Sequence, residues 1–190
     1  MLAVLALLLV SCGTSGRTLR DPEPGATAPP RKTSSTTAPP VASAPLSLTS
    51  PNWTPGAEIP VQHTCDGDDV SPPLTIGAAP DGTVELVLVV RDPDAGGYLH
   101  WAVAGIPPGA PAFPAGALPP GAVQLPGASG EAAWVGPCPP AGTTHTYEFT
   151  LHALAEPSGL DGTSTEEQLD AAVADATGRA VLTGTYTRPD

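Results

Sequence analysis

Apolar and polar positions divide the chain into stretches of different period. Residues 84–90 read VELVLVV, a nearly continuous apolar run rich in β-branched side chains and broken only by Glu85. That is the pattern of a central strand covered on both faces, and Ala79-Pro80-Asp81-Gly82 supplies a turn in front of it. A second strand is expected over 99–105, ended by Pro107-Pro108-Gly109. Over 147–154, Phe149, Leu151 and Ala153 alternate with Glu148, Thr150 and His152, which predicts a strand with one wetter face. A closing strand is expected over 181–187. One helix is predicted over 164–176. Ser164 or Thr165 caps it, Glu166 and Glu167 occupy its first turn, and Leu169, Ala172, Val173 and Ala176 recur at helical spacing. Residues 106–140 are rich in Pro and Gly and have no period, and a loop of that length in a compact domain usually has a task. The sum is a mostly β domain with short peripheral helices and no internal repeat.

Ahead of this domain the pattern changes. Residues 2–10, LAVLALLLV, are too few to span a bilayer as a helix but suit the apolar core of a signal peptide. They run into Leu9-Val10-Ser11-Cys12, which resembles the bacterial lipoprotein box, where the cysteine thiol is lipidated and becomes the new N-terminus. The resemblance implies a signal peptide over 1–11, a lipid with its palmitate on Cys12, and anchorage at the extracytoplasmic face of the cell membrane. The usual positive start is missing, since no Lys or Arg precedes Arg17. Residues 13–45 hold seven prolines and ten Ser or Thr, with almost no large apolar side chains. Such a segment cannot offset its chain entropy by burial, so 12–45 is expected to be a lipidated, disordered tether and 46–190 the folded domain.

Charge sharpens this division. The 190 residues carry a formal charge of -12. Arg17, Arg20, Arg31 and Lys32 give the tether +2 against Asp21 and Glu23, leaving the domain at -14 with three cations against 17 acids. A basic stem either lies on an anionic leaflet or serves as a solvated spacer. An acidic domain in a chain with only 4% aromatic residues excludes a nucleic-acid binder. The 26 prolines exclude a helical bundle.

Candidate chemistry follows the buried strand. Asp92-Pro93-Asp94-Ala95 sets two carboxylates around a rigid proline at a strand end, with Asp92 directed inward. His100 opens the next strand. His145 and Tyr147 flank Thr146 and share a face of theirs. Gly136-Pro137-Cys138-Pro139-Pro140 is a stiff loop. Together these would line a polar cleft in which two imidazoles and a phenol meet a small anion, and Asp92 orients an imidazole. Taken singly, each has a plainer reading: Asp-Pro is ordinarily a turn, and a lone histidine is ordinarily structural.

In order, Ser71-Pro72-Pro73-Leu74, the Asp92–Ala95 motif followed by His100-Trp101, then Gly136–Pro140 followed by His145 and Tyr147, and the terminal Gly184-Thr185-Tyr186 resemble the phosphatidylethanolamine-binding protein family, in its bacterial Raf-kinase-inhibitor-like branch. The resemblance covers 46–190. It implies a β-sandwich, a central antiparallel sheet packed on a second sheet, with a small pocket for phosphate-like or carboxylate anions, phospholipid headgroups included. Carried over by motif, Asp92, His100 and Tyr147 are the main polar residues, Asp94 and His145 stand beside them, and Gly136, Pro137, Cys138 and Pro139 form a wall. Tyr98 stands where the family has tryptophan, Gly96 where it has proline, and Thr146 where it has arginine. A family histidine is missing near Gly178-Arg179, where Arg179 either compensates or faces solvent.

With Cys12 lipidated, Cys65 and Cys138 either form a disulfide in an exported domain or remain buried thiols. The reading is a binding protein without cofactor or metal. A protease inhibitor or regulatory protein-binding module is the alternative, and a homodimer is compatible with either. A hydrolase is disfavoured, because no HExxH, GxSxG or evident nucleophile turn is present.

Overall fold

The computed structural model describes residues 45–190; the expected signal peptide, Cys12 and the expected tether up to residue 44 lie outside the described residues. β1 (Leu48–Thr49), β2 (Leu74–Ile76) and β5 (Ala112–Phe113) form a small antiparallel sheet in the order β1-β2-β5. The larger antiparallel sheet comprises β3 (Glu85–Asp92), β4 (Tyr98–Ile106), β6 (Val123–Leu125), β7 (Thr144–Leu154) and β8 (Gly178–Thr187), in the order β6-β4-β3-β7-β8. The two sheets pack face to face, and helix α1 (Glu166–Val173) covers the outer face of the larger one. This is the expected β-sandwich with a short peripheral helix. Among the described residues no helix is long and apolar enough to cross a membrane.

Strict alternation along β3 sorts its side chains into two layers. Leu86, Leu88 and Val90 enter the core between the sheets, with Trp101, Phe149 and Leu151 from neighbouring strands and Leu74 and Phe113 from the small sheet. Val87 and Val89 face the other way and pack with Leu169 of α1, which is fully buried. The same alternation sends Arg91 to the helix side, where its guanidinium pairs with Glu166 and, at 2.8 Å, with Asp170. It sends Asp92 to the sandwich side. Burial of each large core side chain contributes roughly 1.5–3 kcal/mol.

β4 does not alternate. Leu99 belongs to the helix-side cluster and Trp101 to the sandwich core, although residues two apart in a regular strand share a face. The pairing with β3 steps from Val90↔Trp101 to Arg91↔Leu99, so His100 is the extra residue of a bulge. A second shift, between Leu86↔Ile106 and Leu88↔Val103, reverses the phase again near Gly105. Glu85 explains its intrusion into the apolar run here. Its carboxylate accepts the Gly105 N–H at 2.8 Å and both the hydroxyl and the N–H of Ser158, at 2.8 and 2.7 Å, tying the bulge to the loop after β7.

The helix is shorter than its periodicity predicts. Thr165 is the cap: its hydroxyl accepts from the Gln168 N–H, and the Gln168 side chain accepts from the Thr165 N–H. Its end comes at Val173, since the Thr177 N–H turns to the Ala153 carbonyl at 2.8 Å and starts the entry into β8. The expected 106–140 loop contains β5 and β6, whose two and three residues are too few to show a period. Cys65 and Cys138 are joined, with their Cα atoms 5.4 Å apart and a sequence separation of 73.

Two stability predictions follow from this layout. Cys138→Ser removes a long loop closure and should cost about 2–4 kcal/mol in denaturant-unfolding free energy, where a change near zero would show that the bridge adds nothing. His152, half-buried on the helix side, is held down to about 4, chiefly by burial and then by the Arg179 charge. The unfolded chain therefore binds this proton more readily. Its contribution is complete above pH ~6.5 and is lost as pH falls toward its folded value. Allowing for solvent screening at a half-exposed site, His152→Gln should flatten the fall in stability across that window by about 1 kcal/mol, read from urea midpoints in that window. Parallel slopes for the two proteins would contradict this assignment.

Candidate functional site

At the end of β3, Asp92 is 2% exposed, so its carboxylate must find donors within the protein. Oδ1 accepts the Ala95 N–H at 2.9 Å and caps the 3-10 turn Pro93–Ala95. Oδ2 accepts the Nδ1–H of His145 at 2.7 Å. Asp94, on the same turn, accepts the Thr146 N–H at 2.7 Å. The Asp-Pro-Asp motif thus ties the end of β3 to the start of β7, one carboxylate to a side chain and the other to the backbone. Gly96 ends the turn at φ 70°, which proline cannot adopt, so the glycine at this position reflects a different exit from the turn.

The bulge in β4 turns His100 toward this carboxylate. Its Nδ1–H donates to the Val135 carbonyl at 2.7 Å, and its Nε2 lies 4.0 Å from Asp92 Oδ2. Burial pushes the imidazole below its ordinary range, opposed by the Val135 carbonyl and the Asp92 charge. The ring meets Tyr147 edge-on at 5.2 Å and Tyr98 at 4.8 Å. Tyr147 is 1% exposed, and its hydroxyl has no hydrogen-bond partner among the described residues. Burial, with the Asp92 charge second, pushes this phenol well above its ordinary range, so it keeps its proton.

The wall opposite is stapled on two sides. Val135 returns an N–H to the His100 carbonyl at 3.3 Å. Beyond it, the disulfide, the Cys65 N–H to the Pro137 carbonyl at 3.1 Å, and the Gly136 N–H to Asp69 Oδ1 at 2.8 Å fasten the segment to the loop before β2. Gly136 is required by close approach: a Cβ there would lie 2.3 Å from Asp69 Oδ1 and 2.6 Å from the His63 carbonyl oxygen.

Between turn, strand and wall lies a cleft of about 610 Å³. Asp92, Asp94, Tyr98, His100 and His145 line it, with Gly136, Cys138 and Pro139 from the wall. Tyr147 and Pro137 do not; Tyr147 supports His100 from beneath, and Pro137 is buried in the wall. Ala95, Val135 and Pro140 join the lining without having been singled out as candidates. Ala95 and Pro140 stand inside motifs already legible, while Val135 is found only through its hydrogen bonds to His100. Among the described residues no lysine or arginine lines the cleft, and no group of His, Cys, Asp and Glu gathers to hold a metal ion. Arg179 lies on the helix side, paired with Glu148 at 2.7 Å, and so supplies no charge to the cleft.

The sequence profile of the phosphatidylethanolamine-binding protein family matches residues 49–187. A Mycobacterium tuberculosis protein bearing the lipoprotein name LppC is 43% identical over 189 residues, which cover 96% of this chain and 91% of that protein. A UPF0098 protein of Methanothermobacter thermautotrophicus is 40% identical over 138 residues, 68% of this chain and 91% of its own. Among solved structures, CT736 of Chlamydia trachomatis, described as a phosphatidylethanolamine-binding protein homologue, superposes with a TM-score of 0.71 at 34% identity, covering 76% of this chain and 98% of that one. YbcL of Escherichia coli, described as a member of the mammalian family of the same name, gives 0.70 at 30% identity over 76% and 99%. With the profile running from β1 to the end of β8, the chain belongs to the phosphatidylethanolamine-binding protein family.

Proposed function

We propose that this protein is a membrane-anchored, extracytoplasmic binding protein whose cleft takes a small anion of the phosphate type, phospholipid headgroups included. The observation that carries the reading is the engagement of one nitrogen on each cleft imidazole. Val135 holds Nδ1 of His100 and Asp92 holds Nδ1 of His145, so both rings are fixed and meet a ligand through Nε2. Tyr98 adds a phenol to the same lining, and the stapled wall keeps the cleft open before any ligand arrives. Family membership favours binding over turnover. Family membership and the Leu9–Cys12 motif, together with the name of the mycobacterial relative, support export and a lipid on Cys12.

Titration calorimetry of the mature protein with phosphate, phosphoethanolamine and acetate should give saturable heat with at least one of them. His145→Ala should weaken that binding about tenfold, equivalent to ~1.4 kcal/mol. Absence of heat with all of these anions would overturn the assignment. For the anchor, Cys12→Ser should move the protein from the membrane fraction to the soluble one. Retention of the variant in the membrane fraction would refute lipidation as the means of attachment.

A further inference from the structure

The hydrogen-bonding capacity of the cleft is unusual for an anion site, because acceptors outnumber donors. Nδ1 of His100 carries its hydrogen to a carbonyl, and burial disfavours a second proton on the ring, whose Nε2 then presents a lone pair. That lone pair lies 4.0 Å from Asp92 Oδ2, which already accepts the Nδ1–H of His145. An incoming hydroxyl carries one hydrogen, and the unengaged lone pair of His100 is the acceptor for it. Asp94 adds a second carboxylate to the lining. On the donor side the cleft has the Tyr98 hydroxyl. The Nδ1–H of His145 is committed to Asp92, so that its Nε2 donates only from the doubly protonated ring, and none of the domain's arginines lines the cleft. The groups facing His100 come from every element packed on it: Asp92 from β3, Asp69 from the loop before β2, His145 and Tyr147 from β7, and Tyr98 from β4. None of them is a fixed cation.

A fully ionised phosphate meets unfavourable terms here. It brings two negative charges toward Asp92 and Asp94 without a permanent positive partner, and it leaves the His100 lone pair unsatisfied. A phosphate that keeps one proton brings one charge fewer, and its P–OH supplies the missing donor. Buried acceptors that require a hydrogen discriminate strongly against an isostere that lacks it.

Building on the anion-binding reading above, we propose that the cleft selects oxyanions that still carry a proton, the monoanion of a phosphomonoester above all, over anions of similar shape with no hydrogen to donate. The ligand's hydroxyl donates to Nε2 of His100, and its other oxygens accept from the Tyr98 hydroxyl.

Three small probes separate charge from hydrogen-bond donation. Methyl phosphate near pH 6 is partly the protonated monoanion, since the second ionisation of phosphomonoesters lies at about pH 6. Sulfate is a dianion without a proton, and dimethyl phosphate is a monoanion without one. Calorimetric titration of the mature protein at pH 6 should give methyl phosphate an affinity about tenfold above both of the others. A preference of less than threefold over either control overturns the proposal while leaving an anion site intact. Lack of binding by all three, repeated with acetate and phosphoethanolamine, overturns both the proposal and the reading on which it rests.

Discussion

A carboxylate withdrawn from water at the end of a central strand is the constraint on which the rest of the site depends. Asp92 is 2% exposed and satisfies its oxygens with the Ala95 N–H and the His145 Nδ1–H. Removing either donor would leave a buried acceptor unpaired, a loss of roughly 1–3 kcal/mol, and more for a charged group. The turn after β3 and the first residues of β7 are therefore held to one geometry, and Asp94 reinforces it through the Thr146 N–H. Once that corner is rigid, His145 has a single orientation, and His100 has a fixed acceptor 4.0 Å away.

The scaffold reaches this corner through alternation and one interruption of it. β3 delivers Arg91 to the helix layer and Asp92 to the sandwich layer because consecutive residues face opposite ways. β4 would send His100 to the helix layer had the bulge not reset its phase. The bulge thus moves one imidazole from the helix layer to the cleft at the expense of a ladder position. The wall that completes the cleft is tied to His100 on one side and to the Cys65 loop on the other, so the cleft joins segments far apart in sequence.

Much of the sandwich was readable in advance. The apolar run before Asp92, the half-wet alternation from Tyr147 and the Thr165 cap each express a period or a local hydrogen bond, and such signals are contained in a few neighbouring residues. The short strands β1, β2, β5 and β6 were not readable, because two or three residues carry no period and their pairing is decided by partners elsewhere. Among site residues, Asp92, Asp94, His100 and His145 stood out by type and motif. The family resemblance points to Tyr147 as a main pocket residue, and strand parity supports it. Parity does place it on the His145 face, but the packing of His100 over it removes it from the cleft surface.

By itself the sequence determined the chemistry available: an acidic domain with three cations, an Asp-Pro-Asp turn, histidines near strand ends, and two cysteines beyond Cys12. It also determined the four long strands β3, β4, β7 and β8, since hydrophobic period is a local property. Only the tertiary structure decided which nitrogen of each imidazole is engaged, that Arg179 and Arg91 are spent on the helix side, and that acceptors dominate the cleft. Those outcomes depend on register, on the bulge at His100 and on contacts between residues tens of positions apart, and no local pattern carries that information.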